Sequence, residues 1–198
     1  MKKERTLVVI KPDGVQRTLI GEIIGRFEKA GLKLVGLKMV VPTTDMVEAH
    51  YCVDPEWKRI TGEKTIESYK KKGKTPYSEN PIEVTDIVLK NLKRYMTSGP
   101  VVSMVWQGMH AVSVVRKLIG STEPLTSDVG TIRGDFTIDS YEISDIDGRA
   151  VRNLIHASGN TSDAEKEIPL WFKDDEVLNY RLLQEAILYD VNLDGIME

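Results

Sequence analysis

Cysteine is almost missing from this chain. Cys52 is the only one among 198 residues, so no disulfide can form within the chain. A lone thiol fits a reducing compartment, and a cytoplasmic protein is expected. Long apolar runs are missing as well. Leu7-Val8-Val9-Ile10 follows Met1-Lys2-Lys3 but is too short for the core of a secretory signal. No segment approaches the length of a bilayer span, so no membrane role is expected. Charge of one sign is scarce: 27 Lys and Arg against 30 Asp and Glu leave a net charge of −3. That balance gives no electrostatic footprint for nucleic acid. The one basic run, Lys70-Lys71-Lys72 with Lys74, reads as a solvated helix end. Neither Gly-x-Gly-x-x-Gly nor a P-loop occurs, which removes support for a Rossmann dinucleotide site or a P-loop kinase. Internal repeats and low-complexity segments are absent too.

What remains is enough chain for one domain with a sizeable core. Leu7 to Ile10 is a short continuous apolar run that stops at Lys11-Pro12-Asp13-Gly14, which predicts a central strand delivering Lys11 at its tip. Ile20, Ile23, Ile24 and Phe27 fall at helical spacing, closed by Ala30-Gly31. Alternation from Leu34 to Val41 predicts a second strand, and Thr43 or Thr44 can cap a helix running to His50-Tyr51. Val53 to Pro81 is Lys-, Glu-, Thr- and Gly-rich with Pro punctuation, and reads as inserted, with Trp57 and Tyr69 as anchors. Val88, Leu92, Tyr95 and Met96 restore a helical stripe. Val101 to Trp106 is another apolar strand, and Ala111, Val114, Val115 and Leu118 mark a further helix ended by Gly120. Beyond Ser121 periodicity is weak, apart from an expected strand near Phe136-Thr137-Ile138. Ser162 with Glu165 forms a capping-box pattern, which predicts a helix beginning just after Asp163 and shortened or kinked at Pro169. The tail from Asp174 to Tyr189 is helix-compatible, and Asn192 to Glu198 is expected to fray. This order suits an antiparallel sheet with helices packed on it, although spacing alone also allows a parallel one.

The chemistry concentrates late in the chain. His156 sits in Asn153-Leu154-Ile155-His156-Ala157-Ser158, followed by Ala164-Glu165-Lys166-Glu167. An ordinary imidazole, with a pKa near ~6.5, is largely neutral at neutral pH and can act as a nucleophile, and a nearby carboxylate can fix its tautomer. Glu165 is accounted for as the capping-box partner, which leaves Glu167. Arg133, between Thr131-Ile132 and Gly134, can grip phosphate oxygens with two parallel hydrogen bonds, or can pair with Asp135 or another structural carboxylate. Lys11 can be an exposed strand-end lysine or a phosphate contact, and Arg116 can be a surface salt-bridge partner. His50 and His110 read as structural or exposed.

Taken together, these segments resemble nucleoside diphosphate kinases. The likeness is carried by Glu4-Arg5-Thr6-Leu7 through Lys11-Pro12-Asp13-Gly14-Val15-Gln16-Arg17, by Gly21-Glu22-Ile23-Ile24, and by Ser98-Gly99-Pro100-Val101-Val102. Thr131-Ile132-Arg133-Gly134-Asp135-Phe136, the histidine segment and Ala164-Glu165-Lys166-Glu167-Ile168 complete it. The resemblance implies one ferredoxin-like α+β domain over residues 1–198, with insertions around 55–85 and 139–149 and a C-terminal helical tail. It implies ping-pong transfer of a γ-phosphoryl group from a nucleoside triphosphate to a diphosphate through a phosphohistidine on His156. By the same likeness Lys11 contacts the transferring group, Tyr51 hydrogen-bonds beside it, and Arg116, Thr122 and Arg133 hold phosphates. Asn153 binds the sugar hydroxyl and pairs with Lys11, while Glu167 orients His156 within reach of Ser158. Mg²⁺ is expected to arrive on the nucleotide phosphates, with no metal cage in the protein, and the chain to assemble as a tetramer or hexamer. The base is expected to stack on an aromatic, Trp57 first and Tyr77 second. Three departures stand out: Ala157 where the family usually has Gly, Gly159 where an acidic residue is common, and Val129 in place of Pro. Ala157 is tolerable where the backbone avoids positive φ. Two other classes are weighed against this one: a binding or regulatory protein that keeps the fold and binds nucleotide without phosphohistidine, and a protein-histidine phosphotransfer module, which shares the phosphohistidine but needs no nucleotide cradle.

Overall fold

In the computed structural model, which describes residues 3–189, the apolar run at the start becomes the strand around which the chain is organised. β1 (Glu4–Ile10) ends at Lys11, which caps the single-turn helix α1 (Pro12–Gln16). The amphipathic helix α2 (Ile20–Lys29) buries Ile23 and Phe27 and leads into β2 (Lys33–Val40). α3 (Thr44–Tyr51) starts where Thr43 accepts the amide of Met46. The expected inserted stretch contains α4 (Trp57–Lys71), which packs against α5 (Pro81–Met96). β3 (Val101–Gly108) and α6 (Ala111–Ile119) follow, then two short helices, α7 (Ile132–Phe136) and α8 (Tyr141–Ile146). The chain closes with β4 (Ile155–Ala157), α9 (Thr161–Trp171) and α10 (Glu185–Tyr189).

The sheet order is β2-β3-β1-β4 and every pairing is antiparallel. Two split βαβ units interleave, the ferredoxin-like α+β arrangement that the resemblance implied. The alternative of a parallel sheet is excluded by the register. The Leu7–Ile10 stretch of β1 is apolar without interruption because both faces of the sheet are covered there. Val8 and Ile10 join Phe27, Met104, Trp106 and Val115 on one side. Leu7 and Val9 join Val47, Met96, Val105, Trp171 and Phe172 on the other. β4 obeys the same period of two. His156 pairs with Val9, so it points to the second face, toward α3 and α9, while Ile155 and Ala157 enter the first core.

Three local expectations are corrected. Residues 136–138 do not form a strand: Thr131 caps α7 by accepting the amide of Gly134, and the helix runs through Phe136. The cap outweighs the β-propensity of the residues after it. α9 begins at Thr161, with Asn160 accepting the amide of Asp163 as its cap, so Ser162 and Glu165 form no capping box. Pro169 lies within α9, and the helix continues two residues beyond it to Trp171. The tail is not a continuous helix. After a single turn at Asp174–Glu176 it runs along the edge strand β2, where Leu178 N donates to Val35 O at 2.7 Å and Tyr180 Oη to Leu34 O at 2.6 Å. An edge strand offers unpaired backbone groups, and the tail satisfies them before α10 forms. Glu185 then anchors it through Lys3 and Lys33, at 3.0 and 2.9 Å. The expectation of fraying from Asn192 to Glu198 lies outside the described residues.

The α4–α5 hairpin depends on one close approach. A β-carbon on Gly62 would lie 2.0 Å from the carbonyl oxygen of Pro81. Gly62→Ala is therefore expected to push the helices apart at a cost of about 1–3 kcal/mol, lowering Tm by on the order of 5 °C. Differential scanning calorimetry of the variant checks it, and an unchanged Tm contradicts the packing described here.

Candidate active site

Three elements converge on His156. Glu167, Ala164 and Trp171 form the buried face of α9, and Glu167 Oε2 lies 3.2 Å from His156 Nε2. The same carboxylate oxygen accepts the Ser158 hydroxyl at 2.7 Å, while Ser158 Oγ accepts the Leu7 amide at 3.2 Å. Glu167 is thus tied to the central strand through one serine. With the carboxylate at Nε2, the favoured neutral tautomer carries its proton there, and the lone pair is on Nδ1. Nδ1 has no hydrogen-bond partner among the described residues, and His156 lines a cavity of about 700 Å³. Burial lowers the His156 pKa to about 3, with the charges of Lys11, Arg133 and Arg116 acting the same way. Burial raises the Glu167 carboxyl, against the opposing influence of His50 and Ser158. The imidazole is neutral and nucleophilic throughout the physiological range.

The backbone that presents His156 is held from several sides. Leu154 adopts φ 65°, a left-handed conformation that costs a non-glycine residue about 1–3 kcal/mol. Its amide donates to Asp13 Oδ2 at 3.3 Å and its carbonyl accepts the Lys11 amide at 2.7 Å. Asp13 is fixed in turn by the Tyr95 hydroxyl at 2.6 Å. Arg133 completes the clamp. Its Nε donates to Asn153 O at 3.1 Å and Nη2 to Ile155 O at 2.6 Å, while Nη1 reaches Gly120 O and Ser121 O at 3.0 and 2.8 Å. Pairing of Arg133 with Asp135 is ruled out, because Asp135 engages Arg26 at 2.7 Å. Four of the five guanidinium protons are spent on carbonyls, so Arg133 is first a builder of the loop.

Lys11 is buried, not an exposed strand end. Its Nζ donates to Asn153 Oδ1 at 2.7 Å, and Asn153 Nδ2 donates to Thr122 O at 2.8 Å. Burial and the charge of Arg133 bring the Lys11 pKa down to about 7, with Asp13 opposing. Arg116 is exposed on the cavity wall and has no hydrogen bond or ion pair among the described residues. Tyr51 turns a buried hydroxyl, without a partner among those residues, into the same region, and burial raises its pKa. Trp57 leans on Tyr51, ring centroids 5.7 Å apart, whereas Tyr77 packs on Tyr69 at 5.6 Å. Both segments read as inserted border the cavity: Lys72, just after α4, lies over the ring of Tyr141 on α8, 5.5 Å from its centroid. The second segment is braced by a two-pronged Arg149–Asp139 pair at 2.6 and 3.0 Å.

Sequence reading missed His50, which lies against the His156 ring at 4.3 Å between centroids, and the Tyr95–Asp13 pair. No spacing signal announces either, since both depend on tertiary approach. Among the described residues, the one group of His, Cys, Asp or Glu side chains close enough to share an ion is His50, His156 and Glu167. Two nitrogens and one carboxylate do not suit Mg²⁺, which takes oxygen ligands in an octahedron.

The family model described as "Nucleoside diphosphate kinase" matches residues 4–59 and 57–177. The nucleoside diphosphate kinase of Pyrobaculum aerophilum is 48% identical over 182 residues, covering 90% of this chain and 100% of the relative. A crystal structure of an NDP kinase from that organism superimposes with a TM-score of 0.86 at 47% identity, with 90% and 100% of the two chains covered. The Borrelia burgdorferi enzyme, solved as a transition state mimic with bound vanadate and ADP, gives 0.77 at 37% identity over 93% of this chain and 96% of that one. The chain belongs to the nucleoside diphosphate kinase family.

The departures from the family's sequence pattern are accommodated locally. Ala157 avoids positive φ, so its methyl enters the core unstrained. A side chain at Gly159 would meet Asp163 Oδ2, 2.7 Å from an added β-carbon. Val129 is 93% exposed and precedes Gly130 at φ 91°.

The two arginines separate by substitution. Arg133→Met strips four carbonyls of their donor and is expected to cost about 3 kcal/mol or more, a fall in Tm of about 10 °C. Arg116→Met removes a solvent-facing cation and should leave Tm within about 2 °C. Thermal melts of both variants check this, and equal shifts would contradict the assignment.

Proposed function

We propose that this chain catalyses transfer of the γ-phosphoryl group of a nucleoside triphosphate, typically ATP, to a nucleoside diphosphate, with His156 as the carrier. The observation that supports it most directly is the contact of His156 Nε2 with Glu167 at 3.2 Å, which leaves Nδ1 without a hydrogen-bond partner among the described residues while His156 lines the cavity. In the first half-reaction Nδ1 attacks the γ-phosphorus. The N–P bond forms as the bond to the bridging oxygen breaks, and that oxygen leaves with its electron pair on the diphosphate. A second diphosphate reverses the step. No proton needs to move, because Nε2–H is kept throughout and the positive charge on the ring faces the Glu167 carboxylate. Positioning and charge neutralisation then supply the catalysis.

In this reading Lys11, Arg116 and the remaining proton of Arg133 neutralise phosphate charge, and Thr122 borders their site. The unpartnered Tyr51 hydroxyl donates to the transferring group, Asn153 meets the sugar hydroxyl, and Trp57 offers the base a ring to stack on. Related proteins solved with vanadate and ADP, and with CDP, support such a cleft. Mg²⁺ would be held by nucleotide phosphate oxygens, where it neutralises charge. We also read residues 1–198 as one domain in which 55–85 and 139–149 are inserted rim segments. The apolar side chains Leu37, Met39 and Val41, all more than half exposed on or just after the edge strand β2, support assembly into a homo-oligomer, tetramer or hexamer. No helix among the described residues is long and apolar enough to cross a membrane, and the lone Cys52 suits a cytoplasmic protein.

Incubation with γ-labelled ATP should label the protein in an acid-labile form, and added GDP should remove the label as GTP. His156→Ala should do neither; a labelled His156→Ala protein, or a wild type that takes no label, would reject the mechanism. A pH series tests Lys11. Its free pKa of about 7 rises when phosphate binds, so nucleotide binding takes up a proton above that pH. Affinity measured by calorimetry is therefore highest below about pH 7 and falls as pH climbs through it. Loss of this trend in Lys11→Met is expected, and its persistence there would contradict the role.

A further inference from the structure

The histidine beside the nucleophile has no part in the steps above. His50 lies on the inward face of α3, 2% exposed, and its ring meets that of His156 edge-on, with 4.3 Å between centroids and 83° between planes. His50 Nδ1 accepts the indole N–H of Trp171 at 3.2 Å. A neutral imidazole has one lone pair, so this bond fixes the tautomer with the proton on Nε2. That Nε2 is buried and has no hydrogen-bond partner among the described residues. Native folds seldom leave a buried donor in this state, and where they do the position answers to function before packing.

We propose that His50 is a positioning residue for phosphoryl transfer: it braces the His156 ring with Nε2 on Glu167 and Nδ1 on the cavity, and Trp171 keeps it uncharged meanwhile. The proposal rests on the reading of His156 as the phosphoryl carrier. The space around His156 is closed by His50, by the Tyr51 ring at 6.4 Å and 80°, and by Glu167 at Nε2. A half-turn of the His156 ring would put Cδ2 in the place of Nδ1 and Cε1 in the place of Nε2 against Glu167, and the turning edge would sweep toward the His50 ring packed 4.3 Å away.

The brace must also carry no charge. Attack on phosphorus leaves the His156 ring positive, and an imidazolium with its centroid 4.3 Å away would oppose that charge in a poorly screened setting. Protonating His50 requires displacing the Trp171 N–H and burying a cation. Burial accordingly lowers its pKa to about 3, with His156 and Lys11 acting the same way and Glu167 opposing. The groups that face His50 are His156 from β4, Lys11 from the end of β1, Glu167 and Trp171 from α9, and Tyr51 from its own helix. Glu167 and Trp171 stand four residues apart on one face of α9, so a single helix face holds both histidines.

Trp171→Phe keeps an aromatic ring and removes the donor, which frees the His50 lone pair to take a proton. At saturating ATP, formation of phosphohistidine from the γ-labelled nucleotide should be flat from about pH 7 to about pH 5 in the wild type. In Trp171→Phe it should gain an acid limb that sets in below about pH 6, under the range of an ordinary histidine, because burial and the charges of His156 and Lys11 still act on His50. His50→Leu should lose on the order of 100-fold in kcat with KM kept within about twofold. His50→Gln, which can return an N–H near the Nε2 position, should recover part of that loss. In ¹⁵N NMR the wild-type His156 should appear as one neutral tautomer protonated at Nε2, and His50→Leu should show both. A flat profile in Trp171→Phe, or a single His156 tautomer in His50→Leu, would overturn the proposal and leave His50 a packing residue. Should His50→Leu fail to fold, the Trp171→Phe profile decides. A wild type that forms no phosphohistidine would instead sink the carrier reading on which this one rests.

Discussion

The bond between Glu167 and His156 Nε2 is the constraint on which the rest of the site depends. It decides which nitrogen is free, and so where a phosphorus atom must sit. It also fixes why the fold is built as it is around this point. β4 must place His156 on the α9 face of the sheet, which its pairing with Val9 accomplishes. α9 must present Glu167 inward, and Ser158 must hold the carboxylate against β1. Burial lowers His156 and raises Glu167, and the ring rests neutral against the carboxylate. Positive charge on the ring arrives only with the phosphoryl group, when its stabilisation counts toward the transition state.

Around this bond the backbone is over-determined. The left-handed Leu154 persists because Lys11, Asp13 and Arg133 each grip its neighbourhood. Such strain is affordable where it aims a reactive side chain. The cations divide their labour accordingly. Arg133 is spent on carbonyls, Lys11 is buried near neutrality, and Arg116 faces solvent and the cavity. A cleft with one committed guanidinium and one free one can bind an anion without rebuilding its own walls.

Much of this was legible in the chain. The unbroken Leu7–Ile10 run announced a strand buried on both faces, Thr43 announced the start of α3, and the order of motifs around His156 carried the family and the ferredoxin-like sheet. What was not legible depends on long-range approach. Arg133 looked like a phosphate grip because its carbonyl partners lie 12 to 22 residues away in sequence, and local sequence cannot show them. Residues 136–138 have strand composition, yet the Thr131 cap and the α7 turn decide their conformation. His50 read as structural or exposed because nothing beside it in sequence hints at Trp171 or His156. The tail read as helix because its pattern permits one, while the open edge of β2 required something else.

The central claim concerns a single atom, and one measurement addresses it. The phosphorylated protein, made from ATP with ¹⁵N-labelled histidine, can be examined for ¹⁵N–³¹P coupling to learn which ring nitrogen of His156 bears the phosphorus. The arrangement described here predicts phosphorus on Nδ1, with Nε2 still protonated. Phosphorus on Nε2 would mean that Glu167 does not hold the ring during transfer, and would contradict the account at its base.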